Sequence, residues 1–204
     1  MDAERWSQLK ELVLDGSWVR LEPLSPVHVA SLVALGDHPE LQAQFRYFTD
    51  RLQTPQDREA HLEGLMQRSL GSGWMAFAIV HRSSGQPIGS TSYLDISPSN
   101  SRLEIGSTWL APQWWRTPIN TECKLLLLQH AFEQLGCTRV QLKTDLRNTR
   151  SQQAIERLGA VREAVLRNHM VMSDGYWRTT VMYSLLPDEW PPVRERLKAR
   201  LASG

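Results

Sequence analysis

Two short stretches of this chain hold most of the residues whose types and spacing suggest chemistry. The first runs from Glu104-Ile105-Gly106-Ser107-Thr108-Trp109-Leu110 through Ala111-Pro112-Gln113-Trp114-Trp115-Arg116 to Thr117-Pro118-Ile119-Asn120-Thr121-Glu122. A strand-like segment passes into a loop, and the loop opens a helix. The first turn of a helix has backbone N–H groups without intrahelical partners, and the helix dipole adds partial positive charge, so the junction suits a phosphate or pyrophosphate. Arg116 brings a cation to the same place. Plain capping explains the same letters, with Thr117 as N-cap and Pro118 at the first helical position. The second stretch is Asp145-Leu146-Arg147-Asn148-Thr149-Arg150-Ser151, again a strand end that runs into a helix. Here Asn148 and Ser151 also fit capping, and Asp145 fits a turn. Inside the first strand, the alternation Leu103, Ile105, Trp109 predicts that Glu104 points to the opposite face together with Thr108.

Regular elements must carry these two junctions to one place. Residues 3–14 read as a short leading helix with Trp6, Leu9 and Val13 near one face, and residues 18–24 alternate like a strand. Ser25-Pro26 and Thr54-Pro55 each start a helix; the second ends near Gly71 and Gly73. Between them lies a polar stretch with Phe45, Tyr47 and Phe48. Three segments, 74–81, 87–94 and 103–110, read as an antiparallel meander. A helix then carries Leu125, Leu128, Phe132 and Leu135 and stops at Gly136, and a strand follows over 139–145. Asn148 to Gly159 is the next helix, and two final strands flank the hairpin signal Ser173-Asp174-Gly175. The tail after residue 187 has Val193, Leu197 and Leu201 at helical spacing. This order predicts one α+β domain over residues 1–204, built on a single mostly antiparallel mixed sheet of about seven strands flanked by helices.

Composition narrows the function. With 204 residues, 41% hydrophobic and 22% charged, the chain is an ordinary globular one. A net charge of +1 gives no overall basic field toward nucleic acid or anionic lipid. No apolar run reaches membrane-span length and the first residues show no signal-peptide pattern, so the expectation is a cytoplasmic protein. Cys123 and Cys137 cannot build a four-ligand zinc site and form no Cys-x-x-Cys pair; they read as buried thiols. The six histidines show no metal-ligand spacing, and His169 alone is considered for substrate contact. Of the eight tryptophans, Trp74, Trp109 and Trp177 suit the sheet core, while Trp114-Trp115 suit a cleft wall. A dinucleotide-binding oxidoreductase is excluded, because no Gly-x-Gly-x-x-Gly follows a strand and no parallel βαβ series is present.

Several local patterns, in order and at consistent separations over about residues 16–187, carry a resemblance. They are Glu-Ile-Gly-x-x-Trp-Leu at 104–110, Trp115 through Thr121-Glu122, and Asp145-x-x-Asn148-x-x-Ser151 with Glu156-Arg157-Leu158-Gly159-Ala160. The ending Asp174-Gly175-x-x-Arg178, Tyr183-Ser184 and Glu189-Trp190-Pro191 completes the set. The chain resembles a GCN5-related N-acetyltransferase, of the branch that includes the ribosomal-protein N-terminal acetyltransferases RimJ and RimL. That resemblance implies acetyl-CoA or another acyl-CoA as co-substrate, no metal, and a primary amine as acceptor (a small molecule or a protein N-terminus). It implies a monomer or homodimer, with neither nucleic acid nor membrane as partner.

By the same resemblance, backbone groups near Trp109 and Leu110 meet the acyl carbonyl and pantetheine arm. Trp115, Arg116, Thr117, Pro118, Ile119, Asn120 and Thr121 form the pyrophosphate loop. The family's loop reads Gln or Arg, two residues, Gly, one residue, Gly or Ala; Trp115, Pro118 and Asn120 stand in those places. Pro118 has no N–H to offer, and the Asn120 side-chain amide can supply donors instead. Glu104 becomes the base that accepts the amine's proton, or else a sheet ion pair. Asn148 falls near the pantetheine, Ser151 near the departing sulfur, and Asp145 where it can orient substrate. The segment 36–73 walls the acceptor site, with Phe45, Tyr47, Phe48 and Asp50 as contacts. A rival reading keeps the fold but loses turnover, leaving a module that binds CoA or a protein partner.

Overall fold

A computed structural model describes residues 5–6, 8–50, 52–71 and 73–203. Its strands are β1 (Leu14–Asp15), β2 (Val19–Pro23), β3 (Met75–His81), β4 (Pro87–Ser97), β5 (Arg102–Leu110), β6 (Arg139–Asp145), β7 (Val161–Val171) and β8 (Trp177–Leu185). They form one mixed sheet in the order β1-β2-β3-β4-β5-β6-β8-β7. Every neighbouring pair is antiparallel except β5 and β6. The helices are α1 (Pro26–Leu35), α2 (Pro39–Phe45), α3 (Pro55–Leu70), α4 (Pro118–Gln129), α5 (Thr149–Leu158) and α6 (Trp190–Ala202). The eighth strand is β1, two residues long and too short to leave a pattern in the sequence. Part of the expected leading helix lies outside the described residues; of the rest, Gln8–Glu11 is a 3₁₀ turn, Leu14 is already strand, and Val13 is exposed.

Two cores hold the layers together. On one face Phe77, Tyr93, Leu103, Ile105, Val140 and Tyr183 pack against α4, α5 and α6, including Leu127, Leu128, Ile155 and Leu197. On the other face Ala76, Ala78, Val80 and Trp109 pack under α1, α2 and α3 through Leu32, Leu41, Phe45, Leu62 and Leu65. Trp177 departs from expectation: 58% of it is exposed, outside both cores. Both cysteines are buried free thiols, and no helix among the described residues is long and apolar enough to cross a membrane.

Two departures from regular pairing shape the site. Strand β5 pairs with β6 only from Arg102 to Glu104, opposite Arg139 to Gln141; beyond Glu104 the two strands part. The β4–β5 register runs Ser92↔Gly106 and then Ser90↔Trp109, so β5 has one extra residue there. Ser107 sits at φ 47, the positive-φ geometry of a bulge. The bulge reverses the alternation. Trp109 joins the core under α1–α3, whereas Leu103, Ile105 and Leu110 belong to the opposite one. Thr108 faces α4, where its hydroxyl accepts a hydrogen bond from Lys124. This corrects the expectation that placed Trp109 with Ile105 and Thr108 with Glu104: a period-two reading cannot register an inserted residue.

Candidate active site in the gap between β5 and β6

The parting strands open a cleft of about 1080 Å³. Among the described residues nine lysine and arginine side chains line it against four carboxylates, which makes it anion-seeking although the chain is nearly neutral. Beyond Glu104 the outer edge of β5 has no strand partner among the described residues, so its outward N–H and C=O groups face the gap.

The cationic end lies at two helix starts. Thr117 caps α4, its hydroxyl accepting from Ile119 N at 3.4 Å and donating to the Trp114 carbonyl at 2.8 Å. Pro118 holds the first helical position, where an N–H has no intrahelical partner in any helix. Arg116 occupies the left-handed region at φ 61, a conformation that non-glycine residues adopt only at a cost of about 1–2 kcal/mol. Across from it Arg150, in the first turn of α5, lies 4.0 Å over the Trp115 ring. Burial and then the nearby charge of Arg116 hold the Arg150 pKa below its ordinary value. Two guanidiniums that repel one another beside two helix N-termini have the charge and geometry that suit a doubly charged anion. The Trp115 ring N–H donates to the Leu110 carbonyl at 2.7 Å, fixing the loop to the end of β5. Further in, Lys124 donates to Thr108 Oγ1 at 2.9 Å, and burial lowers its pKa to about 8.

The middle of the gap has the expected pair. Asn148 Oδ1 accepts from Ser151 N at 3.1 Å, so this side-chain oxygen is a helix cap. Both residues also line the cleft. Asp145, fully buried, accepts from the Arg147 backbone at 2.8 Å and from its guanidinium at 2.9 and 3.2 Å. Arg147 in turn lies over the Tyr176 ring at 3.4 Å.

Glu104 is the last residue of β5 paired to β6, at the point where the strands separate. It is 2% exposed. Its Oε2 accepts from Lys143 Nζ at 3.0 Å across the strands, and Arg102 pairs with Asp95. Its Oε1 is buried and has no hydrogen-bond partner among the described residues. Burial raises the Glu104 pKa, with Lys143 opposing. Gly106 leaves room for this carboxylate: a Cβ there would lie 3.1 Å from Oε1. The result is a desolvated carboxylate with one free lone-pair edge, suited to accepting a proton.

The wall formed by α2, α3 and their connection supplies Tyr47, Phe48 and Asp50 to the cleft. Asp50 Oδ2 accepts from His61 Nδ1 at 2.5 Å, and this bond lowers the Asp50 pKa. Phe45 stays out of the cleft: it is 3% exposed and packs edge-to-face on Trp109 with centroids 5.9 Å apart. Ile119 is likewise a core side chain, and neither it nor Pro118 lines the opening. Trp109, Leu110, Trp115, Arg116, Thr117, Asn120 and Thr121 all line it. His169 bonds Thr180 at 3.1 Å and is not in the cleft wall. Sequence reasoning missed Arg150, Lys124, Lys143, His61 and Arg178; Arg178 and Lys143 stand out in retrospect as charges inside strand patterns.

Residues 19–161 match the family described as an acetyltransferase (GNAT) domain, and the chain belongs to the GCN5-related N-acetyltransferase family. The solved structure of a GCN5-related N-acetyltransferase from Brucella melitensis is 31% identical and superposes with a TM-score of 0.84, covering 94% of this chain and 86% of that one. "Putative ribosomal N-acetyltransferase YdaF" of Bacillus subtilis (strain 168) is 31% identical over 52% of this chain, and the match spans 57% of its own length. RimJ of Mycobacterium smegmatis, solved in complex with CoA-disulfide, shares the fold at a TM-score of 0.78 and 17% identity, over 94% of this chain and 96% of that one.

Proposed function

We propose that this protein transfers an acetyl or other short acyl group from acyl-CoA to a primary amine by direct attack. The observation that carries this reading is the gap itself. A desolvated carboxylate with a free oxygen stands where β5 and β6 part, and a dicationic pair lies at the helix starts beyond. Arg116, Arg150 and the first-turn amides of α4 take the pyrophosphate, and the free edge of β5 takes the pantetheine arm. Glu104 removes the proton that leaves the amine nitrogen as it bonds to the thioester carbon. The tetrahedral state then expels the thiolate, toward which Ser151 offers its hydroxyl as a hydrogen-bond donor. Both cysteines are buried, and burial raises their thiol pKa values to about 12, which removes them as covalent carriers. The name of YdaF, "Putative ribosomal N-acetyltransferase", supports a ribosomal amine as the acceptor class.

Calorimetric titration with acetyl-CoA tests the cofactor half of this reading. Binding is expected in the wild type, weakened roughly tenfold or more in Arg150→Ala, since a hydrogen bond to a charged group contributes about 1.5–3 kcal/mol. No heat at millimolar acetyl-CoA rejects the enzyme and promotes the partner-binding module.

A further inference from the structure

Beyond Glu104, toward β8, the cleft has another buried polar group without a partner. Arg178 is 6% exposed and lines the cleft, and its Nε is buried with no hydrogen-bond partner among the described residues. Leaving a guanidinium donor buried and unmatched is costly, so such groups call for an explanation. Neighbouring carboxylates do not supply one. Asp145 is already taken by the backbone and guanidinium of Arg147, and Glu104 uses its paired oxygen on Lys143. Lys143 is matched to Glu104 and Arg147 to Asp145, with Asp174 also acting on Arg147, and Arg178 is left without an ion pair among the described residues. Burial lowers the Arg178 pKa, as it does where a guanidinium is denied water, while Asp145 and Glu104 act in the opposite sense. The proposed pyrophosphate site at Arg116 and Arg150 lies in the loop before α4 and at the start of α5, whereas Arg178 stands on β8, close enough to act on the proposed base. Besides His61 Nε2 on α3 and Trp114 Nε1 in the loop after β5, the cleft has a buried carboxylate oxygen without a donor, Glu104 Oε1, and a buried cationic donor without an acceptor, Arg178 Nε. Those two valences match the two ends of a single substrate.

We infer that Arg178 is the anion-recognising group of the acceptor site, and that the preferred acceptor is an amine with a carboxylate a few bonds away. The amine meets Glu104 and the carboxylate meets the Arg178 guanidinium. A free amino acid supplies this chemistry through its α-carboxylate, and a chain N-terminus supplies it through an acidic residue close behind. The inference rests on the acyltransferase reading of the same cleft.

The test compares two matched pairs of acceptors by thiol release from acetyl-CoA: serine against serinamide, and a tetrapeptide Ser-Asp-Gly-Ala against Ser-Asn-Gly-Ala, both amidated. The wild type is expected to favour the carboxylated member of one pair by roughly tenfold to a hundredfold in kcat/KM, as a charge-assisted hydrogen bond allows. The pair that shows it identifies the source of the carboxylate. Arg178→Gln is expected to bring that ratio to about one, with acetyl-CoA affinity unaltered. Arg178→Lys keeps the charge but loses the planar fork, and an intermediate ratio is expected. Should Arg178→Gln fail to fold by thermal melting, the wild-type and lysine ratios decide. Ratios near one in both wild-type pairs, or a preference that survives in Arg178→Gln, overturn the assignment. Calorimetry of the same four compounds on the CoA-loaded protein gives a readout without turnover. Failure of acetyl-CoA to bind removes the acyltransferase reading, whereas CoA binding without carboxylate preference removes the Arg178 assignment alone.

Discussion

Glu122 follows the pyrophosphate loop in sequence, yet its carboxylate turns away to hold the N-terminal segment. Its Oε1 accepts from Ser17 N at 2.7 Å, and its Oε2 accepts from Trp18 N at 2.7 Å and Val19 N at 2.8 Å. The side chain is 4% exposed, and a Cβ on Gly16 would collide with it at 2.5 Å. Glu122→Ala removes three charge-assisted bonds. Water can reach the exposed Ser17 and Trp18, but Val19 is fully buried and its N–H is stranded. Each loss costs about 1–3 kcal/mol, least where solvent substitutes, so the total is about 3–5 kcal/mol. For a domain of this size, that lowers Tm by roughly 10 °C. Glu122→Gln can keep its oxygen toward Trp18 and Val19 and lose only the exposed Ser17 bond, at about 1–2 kcal/mol. Differential scanning calorimetry on both variants, with and without acetyl-CoA, separates structure from cofactor binding. A Tm within about 2 °C of wild type in Glu122→Ala, with acetyl-CoA affinity lost, would show that Glu122 serves the cofactor loop and not the N-terminal segment.

Two further outcomes are expected. Ser151→Ala should lower kcat by roughly tenfold to a hundredfold while barely changing acetyl-CoA affinity, because its hydroxyl matters as charge develops on sulfur. Steady-state kinetics beside a melting curve checks this, and parallel loss of stability and rate would make it part of the cap. Pro118→Ala restores an N–H at the first position of α4 and should tighten acetyl-CoA binding several-fold by calorimetry. Weaker binding at an unchanged fold would show that proline's pre-shaped helix start matters more than the missing donor.

Much of the scaffold was legible because its punctuation is local. Thr54-Pro55, Thr117-Pro118 and Asn148 mark helix starts, Gly159 at φ 98 ends α5, and Asp174-Gly175 turns the β7–β8 hairpin. The short α2 was missed, since Leu41 and Phe45 are its only buried anchors in an otherwise polar run. The bulge at Ser107 was illegible for a different reason: Leu103, Ile105 and Trp109 keep odd spacing across an inserted residue, so the letters look regular while the faces exchange. In the site, the two strand-to-helix junctions were visible as motifs. The pairings Arg116–Arg150 and Glu104–Lys143 join residues more than thirty positions apart, brought together by the packing of β5 beside β6, whereas Asp50–His61 is a local contact whose geometry the letters do not show.

Glu104 as the base of a direct transfer is tested most directly by the pH profile of thiol release with a saturating amine acceptor. The active form is the carboxylate. Burial raises its pKa, so the wild-type rate should fall as pH drops through a value above the ordinary carboxylate range. Glu104→Gln should lose most of kcat and that acidic limb with it, leaving only the ionisation of the amine. An unchanged profile at near wild-type turnover would contradict the account and leave Glu104 as half of an ion pair with Lys143.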